Sequence, residues 1–102
     1  MILGRHHPLL KRLRQLRRSS AARASEGVLL AEGIHLAGEA LSAGQEVELA
    51  VVDPRLAQSE EGGALLATLK RRAIECHEVA ESVMDGLQDA RSPQAILLVV
   101  RT

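Results

Sequence analysis

The sequence predicts a single domain of the α/β class, built as a layered sheet covered by helices. The chain has 102 residues, which is the size of one domain. Helix-like and strand-like segments alternate along it, and this order favours a largely parallel sheet. Hydrophobic residues make up 46% of the chain and include no Phe, Tyr or Trp, so aliphatic side chains must pack the core.

The first predicted element is a helix from about Pro8 to Ser19. Proline suits the first turn of a helix because the N–H that it lacks would have no partner there. Leucines follow at helical spacing, and basic residues occupy most of the remaining circumference. We therefore expect a helix that docks one face on the core and projects cations from the rest.

The next segments are predicted as a loop, a strand and a helix. Residues Ser20–Ser25 are small, polar and basic, and they are interpreted as a loop. Gly27–Ala31 is a short apolar run typical of a buried strand, and Glu32-Gly33 ends it. Apolar residues then recur at helical spacing from Ile34 until Gly44 supplies a stop.

The second half of the chain continues the alternation. A helix begins at Ser59, a cap candidate, and a capping box over Ser82–Asp85 opens a shorter one. Ser92-Pro93 is interpreted as a turn. The remaining strands are predicted at Val47–Val52, Ile74–Val79 and Ala95–Val100, which makes four in all. The expected core includes Leu29, Leu30, Val51, Leu98 and Val99.

Charge is distributed unevenly along a chain whose net charge is zero. Residues 1–25 contain seven Lys and Arg and no acid, whereas residues 26–102 contain six bases and all thirteen acids. A segregated basic end is typical of a domain that binds a polyanion. The alternative is a solvated helix whose cations pair with the acidic remainder of the same chain. Charge alone leaves both interpretations open.

The basic first helix is the candidate binding surface. Guanidinium groups bind phosphates as bidentate donors, and such binding is strongly salt-dependent and weakly sequence-specific. Arg5 and the cluster Lys70-Arg71-Arg72 are candidates to extend this patch. The residues predicted to contact a phosphate backbone are Lys11, Arg12, Arg14, Arg17, Arg18 and Arg23.

No arrangement of residues in the sequence supports catalysis or metal binding. Cys76 is the single cysteine, so neither an intrachain disulfide nor a zinc cluster can form. Cys76 and His77 are adjacent, and in a strand their side chains point to opposite faces. Protonated His6-His7 could line a phosphate site, although an exposed chain end explains the pair as well. A phosphate-binding glycine loop, a dinucleotide fingerprint and a nucleophile elbow are all missing.

Other classes of protein are excluded by what the sequence lacks. Binders that stack bases on aromatic platforms need rings, and this chain has none. The start of the chain does not read as a signal peptide, and no run approaches the ~20 apolar residues of a membrane span. A soluble cytoplasmic domain that does not contact a membrane is the resulting expectation.

Several short motifs follow one another in an order that is specific as a set. His7–Leu13 opens the basic helix, Arg23 follows, Val28–Leu36 contains a strand that ends in Glu-Gly, and Glu39–Leu41 ends the next helix. Ser92–Val100 adds a Pro-Gln segment and an aliphatic strand. Together, over about residues 6–101, these motifs resemble the N-terminal substrate-binding domain of the SpoU (TrmH) family of RNA 2′-O-ribose methyltransferases.

The resemblance implies both a fold and a partner. The fold is a three-layer α/β/α sandwich with a four-stranded, largely parallel or mixed sheet, similar to ribosomal proteins that bind kinked RNA. The partner is structured RNA, ribosomal in preference to transfer RNA, gripped by one domain that spans residues 1–102. Glu32 and Gly33 match the family's turn motif, although a strand-to-helix turn explains Gly33 without a ligand. The family usually has Gly where this chain has Ala95, so the local geometry stays open if that Gly serves a close approach of the backbone.

The family carries out its chemistry in a separate C-terminal domain. That domain is a trefoil-knotted fold that binds S-adenosylmethionine and forms the usual dimer, and its motifs are absent from this chain. The resemblance thus implies no cofactor here, S-adenosylmethionine in a longer parent, a monomer for the isolated domain and a homodimer for the parent. The last residue, Thr102, directly follows a strand, which favours a cut between two domains.

Two functions remain open at this point. The first is a non-catalytic RNA-binding module that positions ribosomal or transfer RNA for methylation by a catalytic domain outside this chain. The second is a non-catalytic protein-interaction or regulatory domain whose basic helix meets an acidic partner. Steep salt dependence of RNA binding distinguishes the first, and association that depends on protein concentration without RNA distinguishes the second.

Overall fold

A five-stranded mixed sheet forms the middle layer of the protein, whose structure is a computed structural model that describes residues 2–88 and 94–102. The strands are Ile2–Leu3 (β1), Val28–Glu32 (β2), Val47–Val52 (β3), Cys76–Val79 (β4) and Ile96–Arg101 (β5). They lie in the order β1-β4-β3-β5-β2. Strands β1, β4 and β3 run parallel, and β5 lies antiparallel between β3 and β2.

Helices cover both faces of this sheet. They are Pro8–Arg18 (α1), Ser20–Glu26 (α2), Ile34–Ser42 (α3), Glu60–Arg71 (α4) and Glu81–Leu87 (α5), with a 3₁₀ helix at Pro54–Gln58. One aliphatic cluster joins leucines of α1 and α5 to one face, and a second joins α3, α4 and the 3₁₀ helix to the other. The α/β class and the three layers are therefore confirmed.

Strand β5 shows how one strand serves both cores. Leu97 and Val99 pack into the first cluster, whereas Ile96, Leu98 and Val100 pack into the second. Alternate side chains of a strand point to opposite faces, so a strand covered on both sides must be apolar at every position. The prediction of an interior strand from this aliphatic run is confirmed.

The predicted number of strands is wrong by one. Strand β1 adds an edge to the sheet by pairing Ile2 with Glu78 and Leu3 with Val79. Two residues are too few for a period of two to be visible in the sequence, which explains the omission. The predicted Ser92-Pro93 turn lies outside the residues that the structure describes.

The segment Ser20–Ser25 is helical, so its interpretation as a loop is wrong. The Ser19 hydroxyl accepts a hydrogen bond from the Ala22 N–H at 3.0 Å, and Gly27 ends α2 in the left-handed region at φ 67°. Both are ordinary helix boundary signals, a serine N-cap and a C-terminal glycine. The sequence contains both signals, but the polar composition between them favours a loop.

Of the two caps predicted at later helices, one is confirmed and one is wrong. At α4 the Ser59 hydroxyl accepts from the Gly62 N–H at 3.0 Å, which confirms the predicted cap. At α5 the capping-box prediction over Ser82–Asp85 is wrong, because the helix begins at Glu81 and Ala80 caps it without a side-chain bond. Asp85 instead accepts a hydrogen bond from Arg55 at 2.8 Å.

Leu29 is the exception among the predicted core residues. It is 41% exposed and Leu30 is half-buried, while Val51, Leu98 and Val99 are fully buried. The reason is tertiary: β2 lies at the edge of the sheet, where the neighbouring helices leave part of the strand uncovered. The expectation that Leu29 lies in the core is therefore wrong.

Candidate functional site

Helix α1 presents its charges in two different environments. Leu10, Leu13 and Leu16 are completely buried under the helix and anchor it on the sheet. Lys11, Arg14 and Arg18 follow one another at i, i+3 and i+7, so they share the side of the helix opposite these leucines. Seven helical residues span about 10 Å, which gives this cationic stripe its length. Arg12 and Arg17 stand on the two flanks between the stripe and the core.

The flanking Arg12 is tied to two carboxylates of the same chain. Its guanidinium contacts Glu48 of β3 at 2.5 Å and Glu26 of α2 at 2.7 Å. The hydrogen bond to Glu48 is the main cause that raises the pKa of Arg12, with desolvation opposing it and Glu26 adding to it. Arg101 of β5 also approaches Glu48 at 3.4 Å, so the cluster links α1, α2, β3 and β5. Arg12 holds α1 and α2 to the end of the sheet.

Arg17 is the corresponding tie on the other flank. Its Nε lies 3.0 Å from a carboxylate oxygen of Glu32, the last residue of β2. Both side chains are about a quarter to a third exposed, so water weakens the pair without removing it. Glu32, which matches the family's turn motif, therefore has an ion-pair partner on α1.

Arg23 has a local role that depends on α2 being a helix. Its Nη1 donates to the main-chain oxygens of Leu16 and Arg17 at 2.6 and 3.1 Å. These carbonyls end α1, and cations stabilise the C-terminus of a helix by pairing with its unsatisfied oxygens. Arg23 gains no carboxylate partner among the described residues, so its positive charge stays at the surface.

The cationic stripe is different because its charges are not neutralised. Within residues 2–88 and 94–102, Lys11, Arg14 and Arg18 form no ion pair. Arg14 donates to the main-chain oxygen of Arg5 at 2.6 Å, which ties the N-terminal turn to α1 and leaves the charge unpaired. The flanks of the helix therefore pair with acids of the same chain, whereas its outer side offers cations to solvent. Binding of a polyanion on that outer side stays a prediction.

The histidine pair next to the stripe contributes a helix cap. His7 is the N-cap of α1, and its Nδ1 accepts a hydrogen bond from the Leu9 N–H at 3.1 Å. His6 is exposed beside it.

The Lys70-Arg71-Arg72 cluster does not extend this surface. It ends α4, which packs on the second cluster, on the opposite side of the sheet from α1. Arg72 donates to the main-chain oxygens of Leu41 and Gln45 at 3.3 and 3.0 Å, so it closes the C-terminal end of α3. The idea that these three residues enlarge the α1 patch is wrong.

The Glu-Gly turn lies next to Gln94 in the fold. Gly33 caps α3 at φ 98° and ψ 163°, and its N–H donates to Ile96 O at 2.9 Å. A Cβ at Gly33 would lie 2.9 Å from the side-chain oxygen of Gln94. Gln88, which is buried, exchanges two hydrogen bonds of 2.9 Å with the main chain of Gln94. No sequence signal pointed to Gln88, since it follows a helix without a motif.

Ala95 does not distort this turn. Ala73 is the non-glycine residue with positive φ in the described part of the chain, so Ala95 has an ordinary backbone conformation. Its carbonyl accepts from the Asp53 N–H at 3.0 Å. The backbone conformation at this departure from the family pattern is therefore not one that requires glycine.

Cys76 and His77 are not partners, as their alternation in a strand predicts. His77 Nε2 lies 2.6 Å from the carboxylate of Glu75, which directly precedes β4. Desolvation raises the pKa of the Cys76 thiol, the charge of Glu78 raises it further, and Lys70 opposes the shift. A raised pKa makes the thiol a weaker nucleophile at neutral pH.

Comparison with known proteins identifies relatives of the whole fold. Residues 7–98 match a family model described as "MRM3-like substrate binding domain". A solved structure of an RNA 2′-O ribose methyltransferase is 28% identical, with a TM-score of 0.80 over 98% of this chain and 36% of its own. A search of curated proteins finds no match to the sequence. No helix among the described residues has the length and apolarity to cross a membrane.

Two further structures show the same fold at lower identity. The rRNA methyltransferase from Sinorhizobium meliloti is 23% identical, with a TM-score of 0.75 over 97% of this chain and 35% of that one. The SpoU methyltransferase AviRb from Streptomyces viridochromogenes, solved with AdoMet, is 20% identical, with a TM-score of 0.75 over 94% of this chain and 33% of that one. The chain therefore spans about a third of the length of these relatives.

Proposed function

Because the chain belongs to the MRM3-like substrate-binding domain family, we propose that it is a non-catalytic RNA-binding module. It positions RNA, ribosomal in preference to transfer RNA, for S-adenosylmethionine-dependent 2′-O-ribose methylation. The methyl transfer takes place in a catalytic domain outside this chain. In this proposal residues 1–102 form one domain that is a monomer in isolation, belongs to a homodimeric parent and works in the cytoplasm.

The unpaired cationic stripe of α1 is the observation that carries the proposal. RNA binding rests largely on Lys and Arg that neutralise phosphates and release bound counterions. Lys11, Arg14 and Arg18 can do so without first giving up a partner carboxylate, because none contacts them in the described chain. Arg12 and Arg17 would have to leave Glu48 and Glu32, so we assign them mainly to holding α1 in place.

In this proposal S-adenosylmethionine binds to the catalytic domain. Hollows of the described surface lie along β2, between α3 and α4, and between α1 and α5. The chain has no aromatic side chain to stack on an adenine ring. Residues 1–102 then contribute the grip on RNA.

The test compares two double variants that remove equal charge. Lys11→Gln/Arg18→Gln takes one Lys and one Arg from the stripe, and Lys70→Gln/Arg71→Gln takes one of each from the opposite side of the sheet. Fluorescence anisotropy measures the binding of a structured ribosomal RNA fragment and of a transfer RNA. The salt concentration is varied between about 50 and 300 mM, because counterion release changes the affinity strongly over this range.

The stripe variant is expected to weaken RNA binding at least about tenfold at low salt. It should also reduce the slope of log K against log salt by about 1.5, the share of two phosphate contacts. The α4 variant should change neither quantity. Equal losses in the two variants, or RNA binding that is insensitive to salt, would overturn the assignment.

A further inference from the structure

Strand β2 is an open edge of the sheet. It pairs with β5 on one side and has no strand on the other within the described chain. Thr102 N donates to Gly27 O, and Gly33 N donates to Ile96 O, each at 2.9 Å, so the main-chain groups at 27 and 33 face β5. Hydrogen-bonded and non-bonded pairs alternate in an antiparallel ladder, so the N–H and C=O of Leu30 turn away from β5.

A hollow lies on each side of this edge, and the two have different chemistry. On the α3 side, a hollow of about 330 Å³ is lined by Leu29, Leu36, Ala40 and Glu39. Leu29 and Leu36 are 41% and 48% exposed, which makes them two of the three large apolar side chains exposed in the described residues. The other hollow, of about 390 Å³, is the one that contains the arginines, and it is lined by Arg17, Arg23, Leu29, Leu30 and Glu32.

We infer that the β2 edge binds an extended peptide in which apolar and acidic residues alternate, added to the sheet as a sixth strand. In a strand, alternate side chains point to opposite faces, so one set would enter each hollow. Apolar side chains would cover Leu29 and Leu36, and acidic ones would approach Arg23. The reverse orientation is disfavoured because Glu39 lines the apolar hollow and would repel a carboxylate.

The positive charge of Arg23 is the reason that the bound peptide is expected to carry acidic residues. Its guanidinium donates to two main-chain oxygens, which are neutral acceptors, and so keeps its full charge. Arg17 and Glu32 in the same hollow balance each other at 3.0 Å. The net charge of this side of the groove is therefore positive, and a peptide carboxylate would compensate it.

Other occupants fit the edge less well. An RNA backbone offers phosphate acceptors and 2′-hydroxyl groups, but it lacks the regularly spaced N–H and C=O groups with which a peptide strand pairs both outward main-chain groups of Leu30. A second copy of the domain, paired through its own β2, would bring a second Arg23 and no additional carboxylate to compensate it. An acidic peptide supplies that carboxylate.

The experiment uses a capped peptide of four Val-Glu repeats as the probe. Titration into isotope-labelled protein should shift the amide signals of Leu29–Glu32 and slow hydrogen exchange at Leu30. Leu29→Glu should weaken binding at least about tenfold, because it places a carboxylate among apolar residues. Ile2→Glu is the matched control, since it makes the same change at an exposed apolar residue of the other edge strand, and it should leave affinity within about twofold.

A second peptide tests the charge. Four Val-Lys repeats have the same length and apolar residues, and they should bind at least about tenfold more weakly than the Val-Glu peptide. Equal affinity for both peptides, equal effects of Leu29→Glu and Ile2→Glu, or shifts confined to α1 would overturn the inference. So would protection of Leu30 that appears with rising protein concentration alone, or with ribosomal RNA fragments in place of the peptide, because each assigns the edge to another occupant.

Discussion

Replacing Gly33 by alanine tests whether this motif residue serves the fold or a ligand. Its backbone stands at φ 98° and ψ 163°, a region that residues with a Cβ almost never occupy. The new methyl group would also lie 2.9 Å from Gln94 Oε1 and 3.0 Å from two carbons of the same side chain. The substitution therefore adds a backbone penalty and a steric one at the same place.

A control substitution separates the backbone penalty from the steric penalty. Backbone strain of this kind costs on the order of 1–3 kcal/mol, and moving the Gln94 side chain adds to it, so we expect a total of about 3 kcal/mol. Gly44→Ala is the matched control. Gly44 also has positive φ, at 70°, but no atom lies within 4 Å of the position that the new methyl group would take, so only the backbone cost of about 1 kcal/mol applies.

Urea unfolding followed by circular dichroism measures both free energies of unfolding by linear extrapolation. RNA binding is then measured where each variant is fully folded, and we expect Gly33→Ala to retain the affinity of the unaltered protein. If Gly33→Ala were no less stable than Gly44→Ala, the steric argument would be refuted. If it folded normally and lost RNA affinity, Gly33 would belong to the binding surface.

Three other predictions concern single residues. Arg23→Gln should lower the free energy of unfolding by about 1–2 kcal/mol, since α1 loses the cation at its last carbonyls, whereas the exposed Arg18→Gln should change it by less than about 0.5 kcal/mol in the same urea titration. Arg55→Gln should lower the free energy of unfolding by about 3 kcal/mol, measured by thermal and urea unfolding. The Asp53 side chain is completely buried, and the substitution removes the guanidinium that lies 2.7 Å from its carboxylate. A loss below about 1 kcal/mol would contradict this prediction. Alkylation of Cys76 by iodoacetamide should be slower in the folded protein than in urea at about pH 8, with a midpoint above that of an ordinary thiol, because burial raises the thiol's pKa; equal rates would count against the raised value.

The position of β2 in the sheet explains why the prediction that Leu29 lies in the core is wrong. In Gly27–Ala31 every residue after the glycine is apolar, and such a run predicts burial on both faces. Burial on both faces requires neighbours on both sides, and β2 has a strand neighbour on one side only within the described residues. A strand's place in the sheet depends on long-range pairing, which local periodicity does not record.

The charges of α1 also depend partly on local sequence and partly on tertiary packing. Their number, their segregation and the helix that carries them could all be predicted, because helical spacing and composition are local properties. Which of them are neutralised depends on Glu26, Glu32 and Glu48, which are 14, 15 and 36 residues from their arginine partners. Only the packed chain brings those carboxylates to the flanks of the helix.

Local patterns in the sequence were enough to establish the α/β class, the extent of α1, the interior position of β5 and the family resemblance. Each rests on a repeat or motif contained in a short window, where backbone geometry alone sets the spacing. Long-range packing set the rest: which edge of the sheet stays open, which cations remain unpaired, and that Gly33 packs against Gln94. These features depend on contacts between residues far apart in the chain, and the free energy of such contacts exists only once the sheet has brought them together.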